Sequence, residues 1–306
     1  MQVDIERGVQ PGSGIAGVKK SYPVTSLVQP KPLKSYDGKG PYGDFGSEEN
    51  LIAHLETLTD AESRARSHLY GVMTDIKGGW KFTDTLYKDT PGTKLDEAVY
   101  NLKLCRAVWN RKNVVREELL RFMSGNLATH SIGDPMKIVD LGSGPSDYTI
   151  EALGTLKTRY NGSGIPVRAT AIDIDKSAIN RGRELAREAH VENNIKFERG
   201  RMGTMLKRGK IKNADMMLAI GIICPMPDEI VMKLFNRSRE ALKDGGEFYT
   251  CAVRHHPLQK VLERAGWNLN PREPEYLERM MKEAGYETEI YLDAEEFFVM
   301  GLGQKT

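Results

Sequence analysis

The most constraining stretch of this chain is residues 136–153, MKIVDLGSGPSDYTIEAL. Strand-like residues, apolar apart from Lys137 and Asp140, run directly into two glycines, a proline and two serines, and then into a helical pattern. A glycine turn after a strand and before a helix brings backbone close to a ligand, because glycine has no Cβ and tolerates positive φ. In open α/β sheets the ligand sits at the carboxyl ends of the strands, so such a turn also fixes where a site would lie.

The rest of the chain agrees with that architecture. Strand patterns recur near 136–141, 167–172, 195–199, 214–220 and 246–253 with helical patterns between them, which predicts a parallel sheet covered on both faces. Before them, residues 1–46 are interrupted by QPGSG, VQPKP and GKGPYGDFG and read as an extended or disordered arm. Residues 47–130 read as helical: Leu51, Ile52, Leu55 and Leu58 share one face. Thr59 and Glu62 then form a capping box before Ala65, Leu69, Val72, Met73 and Ile76, and the pair of helices ends at Gly78-Gly79. A single long helix is predicted from near Leu95 to Met123, stopped by Gly125-Asn126. Residues 131–306 form the alternating domain.

Three cofactor classes compete for the turn: nucleoside triphosphates, nicotinamide or flavin dinucleotides, and S-adenosylmethionine. A dinucleotide fingerprint read from Gly142 requires a third glycine where this chain has Asp147, and a Walker loop requires a lysine that nothing after Gly142 supplies. What remains is Asp140-Leu-Gly142-Ser143-Gly144-Pro-Ser146, which resembles the first motif of class I S-adenosylmethionine-dependent methyltransferases, with Ser146 in place of the third glycine. The resemblance extends over about 136–305, taking in ADMMLAIGII, LKDGGEFYTCAV and the closing MMKEAGYETEIYLDAEEFFVMGLGQK. It implies a doubly wound, mostly parallel seven-stranded sheet, Rossmann-like, whose last hairpin adds an antiparallel strand. It also places the methionine portion of the cofactor over Gly142, Ser143 and Gly144, with its amino group near Asp140.

The second strand supplies two acids in AIDIDKSAIN. Asp175 is a natural N-cap for the helix that follows. Asp173, at the strand's carboxyl end, is placed to accept from ribose hydroxyls, which is what the resemblance implies for that position. Arg201 stands where many relatives of this kind carry an adenine-binding aspartate, and arginine has no acceptor to offer. Adenine would therefore rest on apolar side chains such as Ile174 and Met202, with Ile220 at the end of the fourth strand also near the cofactor.

A sulfonium methyl is already activated, so alignment and exclusion of water are the main tasks and a general base is optional. His255 and His256, directly after the fifth strand, are the candidate bases, set against a reading as a surface or structural pair. The loop GIICPMPDE would border the transferred methyl, and it lacks the Pro-Pro-aromatic motif of many base-amine methyltransferases. Cys224, within it, reads as a small buried thiol.

Composition excludes several classes. The net charge is +2 with 28% charged residues, so no global field draws the chain to nucleic acid or anionic lipid. Cys105, Cys224 and Cys251 are too scattered for a zinc site or a disulfide framework, and no metal is expected. The start is polar and no apolar run reaches membrane-spanning length, which points to the cytoplasm. The expected activity is methyl transfer to a small-molecule acceptor enclosed by the N-terminal helices, with oligomeric state open. Two alternatives stand beside it: RNA methylation through the basic run 199–212, and a cofactor-binding regulatory or scaffolding protein without transfer activity, which Ser146 and Arg201 keep in view.

Overall fold

The computed structural model describes residues 23, 31–34, 39–58, 62, 66–76, 79–88, 90–161, 164–264 and 266–306. Seven strands form one sheet: β1 (Met136–Leu141), β2 (Val167–Asp173), β3 (Ile195–Arg199), β4 (Ala214–Ala219), β5 (Leu242–Val253), β6 (Tyr286–Leu292) and β7 (Phe298–Lys305). Their order is β3-β2-β1-β4-β5-β7-β6. The first five pair in parallel, and β7 runs antiparallel between β5 and β6. The mostly parallel, doubly wound arrangement is the one the sequence predicts. Because β1, β2, β4 and β5 point the same way, the glycine turn, Asp173, the loop after Ala219 and the residues after Val253 all emerge at one edge of the sheet.

Ten helical segments of α type can be named among the described residues before the closing hairpin and its own helix. The N-terminal ones are α1 (Glu48–Thr57), α2 (His68–Ile76), α3 (Trp80–Lys88), α4 (Lys94–Tyr100) and α5 (Lys103–Asn126). Those between strands are α6 (Asp147–Arg159), α7 (Lys176–Glu188), α8 (Met202–Lys207), α9 (Asp228–Ala241) and α10 (Gln259–Arg264), and α11 (Pro274–Glu283) precedes β6. Alternate residues of the central strands feed two cores. Ile138, Ala169, Met216 and Tyr249 face the N-terminal helices together with α6, whereas Val139, Ile172, Met217 and Phe248 face α9 and α11. This two-sided burial explains why β4 is apolar at nearly every position and wholly buried.

The helical layer departs from the expected pattern in three places. The helix predicted from Leu95 to Met123 is broken at Asn101-Leu102: Leu102 adopts φ −55°, ψ 142°, and the Asn101 amide donates to the carbonyls of Lys34, Pro41 and Glu97 instead of sitting idle on a helix surface. The apolar spacing could not reveal this, since Leu95, Val99 and Leu102 are buried on both sides of the break. The helix α3 was not legible, because Trp, Phe and Thr are weak helix formers and the stretch follows two glycines. The Thr59 to Ala65 part of the capping-box helix lies largely outside the described residues; α2 itself starts after Ser67, whose hydroxyl accepts from Tyr70 N at 2.9 Å. The strand predicted from 246 begins earlier, at Leu242, with a register shift opposite Gly245-Gly246.

Most of the 1–46 arm also lies outside the described residues. Its described pieces are held by buried amides: Lys31 N donates to Asn110 Oδ1 at 2.8 Å, and Lys34 N to Asn101 Oδ1 at 3.0 Å. Pro23 O accepts from Leu292 N on the edge strand β6 at 2.9 Å.

Candidate active site

The turn after β1 is built from left-handed residues. Gly142, Gly144 and Ser146 have φ of 63°, 56° and 65°. A Cβ on Gly142 would come within 2.5 Å of Ile222 Cγ2, so both conformation and space require glycine there. Ser146 adopts the same backbone region without being glycine, and its hydroxyl is turned inward. On α7, Gly182 lets the helix approach the turn, since a Cβ there would lie 2.6 Å from Pro145 O.

Asp140 lies beneath the turn and not in the cleft. Its carboxylate is fully buried and accepts from Ser146 Oγ at 2.5 Å, Tyr148 OH at 2.9 Å and Thr149 Oγ1 at 3.3 Å. Burial pushes it up to about 6, against the pull of those three donors. Its oxygens are engaged within the protein, so it organises the turn; the expectation that it meets the cofactor's amino group is not carried by this geometry. The acid of this loop that does face the cleft is Asp147, at the first position of α6, also pushed up to about 6 by burial, with Lys112 opposing the shift.

Asp173 lines the cleft from the end of β2. It accepts from Gly144 N and from Asp175 N, each at 2.8 Å, one bond per oxygen. A carboxylate has about four lone-pair sites, so acceptor capacity remains on both oxygens. Asp175 caps α7 as predicted, accepting from Ser177 N at 2.7 Å. It also accepts from Trp80 Nε1 at 3.0 Å, which ties α3 to the rim. Partial burial works to raise it, yet the hydrogen bonds from Ser177 and Trp80 hold it below the usual carboxylate range.

The resulting cleft has a volume of about 420 Å³. Gly142, Ser143, Gly144 and Asp173 form one side, with Ile174, Met202, Ile220 and Ile222 as apolar surface. Ile174 is 62% exposed, a large apolar side chain left uncovered at the rim of the cleft. The opposite wall comes from the N-terminal layer: Trp80, Thr83 and Tyr87 of α3 and Arg111 of α5. Sequence reasoning missed those four residues. Their only sequence signal was their place in helices with no evident partner for one face, and α3 was not recognised as a helix.

His255 and His256 are not brought to this cleft. His255 is exposed, with Nδ1 3.1 Å from Glu273 Oε1. His256 packs on Phe297 and borders a separate cavity of about 400 Å³ with Glu48, Ile52 and Lys103. Burial, with a smaller push from His255, lowers its imidazole to about 4. Another cavity, of about 360 Å³, lies between Gly40 and Ala98. Neither cavity touches the glycine turn, so the chemistry selects the cleft. Arg201 is exposed and outside the cleft, at the N-cap of α8. The basic side chains of 199–212 are solvated, while Met205, Leu206 and Ile211 of the same run enter the core. Cys224 is buried and its thiol is pushed up to about 12 by burial, so it is no nucleophile in this state. Among the described residues no cluster could hold a metal ion, and no helix is long and apolar enough to cross a membrane.

The donor set fits an adenosyl amino acid: acceptor oxygens for a ribose at Asp173, apolar faces for a purine, and a glycine-lined passage between. A family model described as a methyltransferase domain matches residues 132–287, just over half of the 306-residue chain. The chain belongs to this family, and it is a class I S-adenosylmethionine-dependent methyltransferase. Its fold is similar to that of a possible exported protein from Bordetella parapertussis, with TM-score 0.61, 16% identity, and 85% of this chain and 97% of that one covered. It is also similar to the CMeT domain of citrinin polyketide synthase, with TM-score 0.53, 15% identity and coverage of 83% and 65%. An O-methyltransferase family protein from Burkholderia thailandensis aligns with TM-score 0.50, 11% identity and coverage of 90% and 80%. At such identities the likeness is one of fold. Among curated proteins the sequence has no match.

Proposed function

We propose that this methyltransferase acts on a small-molecule acceptor admitted beneath α3 and α5. The observation that carries the reading is the opposite wall of the cleft: Trp80, Thr83, Tyr87 and Arg111 face the glycine turn across a cavity of about 420 Å³, within the size of small-ligand sites. The N-terminal helices, about 47–130, are in this reading the substrate-covering region, and 131–306 the domain that carries the cofactor turn.

S-adenosylmethionine, when bound, supplies a methyl group on a sulfonium that needs no further activation. The protein's residues do the rest. Asp173 holds the ribose hydroxyls, Ile174, Met202 and Ile220 provide the apolar bed for adenine, and Gly142, Ser143 and Gly144 admit the amino-acid portion. Asp147 answers its ammonium in place of Asp140. The indole of Trp80, fixed to Asp175, closes the side of the cleft and keeps water from the sulfur, so that orientation supplies most of the acceleration. His255 and His256, which lie outside the cleft, take no part. The solvated run 199–212, with no aromatic side chain within it, does not support the RNA reading. Buried free thiols fit a reducing compartment, so the proposed location is the cytoplasm.

The test is a cell extract supplied with the protein and S-adenosylmethionine labelled in the methyl group. Label is expected in the low-mass organic fraction, and strongly reduced when Asp173→Ala is used at limiting S-adenosylmethionine. Label confined to RNA would overturn the small-molecule assignment, and no transfer to any fraction with intact cofactor binding would favour a non-catalytic role.

A further inference from the structure

Four arginines recur along α5 at Arg106, Arg111, Arg116 and Arg121. Three are answered by carboxylates: Arg106 by Glu295, Arg116 by Glu117 and Glu151, and Arg121 by Glu118 and Glu247. The neighbouring Lys112 pairs with Glu151 at 2.5 Å. Arg111 alone has no carboxylate within ion-pair distance among the described residues. Desolvation works against its charge, and the polar groups closest to it are the thiols of Cys251 and Cys224 and the phenols of Tyr87 and Tyr148, of which Cys251 and Tyr87 share hydrogen bonds with it. All four are neutral near pH 7 and supply no counter-charge.

Its surroundings also fix its position. The guanidinium lies over the Phe298 ring, 4.7 Å from the centroid, and against the backbone after β4, where a Cβ on Gly221 would come within 3.1 Å of Nη1. Gly221 has φ 74°, so the chain there is shaped to leave that space. The Arg111 side chain is half-buried, facing the cleft. A guanidinium cannot shed its proton, and closing the cleft over it without a counter-charge is costly, which leaves the cleft's occupant to supply the anion. Asp147 is in the same cleft but is not within ion-pair distance either, leaving an uncompensated cation and a separate acid facing one cavity.

We infer that Arg111 binds the α-carboxylate of the cofactor's amino-acid end. This deepens the functional reading above and rests on it. Asp173 ends β2 and Gly221 follows β4, two strands away, a separation of roughly 10 Å at the usual strand spacing. An adenosyl amino acid with its ribose at Asp173 has one anionic group, at its far end, and Arg111 is the unanswered cation on that side. Arg111 belongs to the N-terminal layer, outside residues 132–287 that the family model matches. The cofactor site is therefore shared between the two parts of the chain, and the covering helices contribute to cofactor affinity as well as to the acceptor pocket.

Calorimetry on the full chain tests this with two ligands, S-adenosylhomocysteine and its carboxyl methyl ester, which keeps the ammonium and loses the negative charge. The wild type is expected to bind the acid about tenfold to a hundredfold more tightly than the ester. Arg111→Met should lower affinity for the acid by a similar factor and leave that for the ester within about twofold, with Arg111→Lys recovering part of the loss. Equal affinity of the wild type for acid and ester overturns the assignment, even if Arg111→Met fails to fold. So does a loss shared equally by both ligands, which would make Arg111 a packing residue. Full retention of acid affinity in Arg111→Met also overturns it and would give the guanidinium to an anionic acceptor. A wild type that binds neither ligand overturns the cofactor reading itself, a result separate from the other three.

Discussion

Ser146 stands at φ 65° and donates its hydroxyl to Asp140 Oδ2 at 2.5 Å, so the residue that replaces the family's third glycine is bonded to the acid that opens the same motif. The serine adopts glycine's conformation at a cost of roughly 1–2 kcal/mol and offsets it with a buried, charge-assisted hydrogen bond. Its side chain points under the turn and leaves the cleft face open. The substitution is thus no sign of a lost cofactor site.

Ser146→Gly should relieve the backbone cost while removing one donor from Asp140, and Ser146→Ala should remove the donor and keep the cost. The alanine variant is expected to be the less stable of the two, by about 1–2 kcal/mol, in urea denaturation. Equal stability would mean that the left-handed conformation is not strained here.

Asp173→Asn is expected to weaken S-adenosylhomocysteine binding by about one order of magnitude, because an amide nitrogen cannot accept from a ribose hydroxyl. Asp175→Ala should instead cost about 1 kcal/mol of stability through loss of the α7 cap. Calorimetry and thermal unfolding on both variants separate the roles, and an equal fall in affinity would merge them.

Because Asp147 is pushed up to about 6, it is largely ionised at pH 7.5 and largely protonated at pH 5. An ammonium prefers the ionised form, so cofactor-product affinity should fall as pH drops through about 6. Asp140 titrates in the same range, and Asp147→Asn distinguishes the two by flattening the profile. An unchanged profile in that variant would return the ammonium to another partner.

His256 is lowered to about 4 from an unfolded value near 6.5, so the unfolded chain binds the extra proton between those limits. Its contribution to stability is complete above about pH 6.5 and is lost as pH falls towards 4. Asp140 and Asp147, raised in the fold, act in the opposite sense between about 4 and 6, the folded state binding protons more tightly. His256→Phe should therefore lose less stability than the wild type between pH 7 and pH 4.5 in matched urea titrations.

Trp80→Phe keeps an aromatic surface but cannot donate to Asp175. Turnover is expected to fall about twofold to tenfold, as loss of one hydrogen bond of roughly 0.5–1.5 kcal/mol loosens the wall, with S-adenosylhomocysteine affinity changed less because the lost bond goes to Asp175 and not to the ligand. A larger loss of affinity than of turnover would make the indole part of the cofactor bed.

Much of this was legible from residue order alone. The five parallel strands, the glycine turn and the Asp175 cap follow from alternation, missing Cβ atoms and side-chain acceptors, which are local properties. Where Asp140 points is not local: it depends on Tyr148 and Thr149 lying one helical turn away in space. The distance of His255 and His256 from the cleft depends on where β5 lies in the strand order, which sequence spacing does not contain. Arg111 was invisible for a related reason, because its significance is that, among the described residues, it lacks the carboxylate its three sister arginines have.

The asparagines that interrupt and line α5 hold the N-terminal arm through main-chain groups of Lys31 and Lys34, both amides nearly excluded from water. A chain shortened to begin at residue 47 would uncover the apolar surface that Tyr42 and Phe45 pack against and the rings of Tyr100 and Trp109 beneath Lys31, and would leave Asn101 and Asn110 facing space where their partners had been. Protease nicking of the arm, followed by a fall in melting temperature, would read this attachment directly, and an N-terminal fusion that pulls the arm away would weaken the helical wall from a point far from the methyl-transfer site.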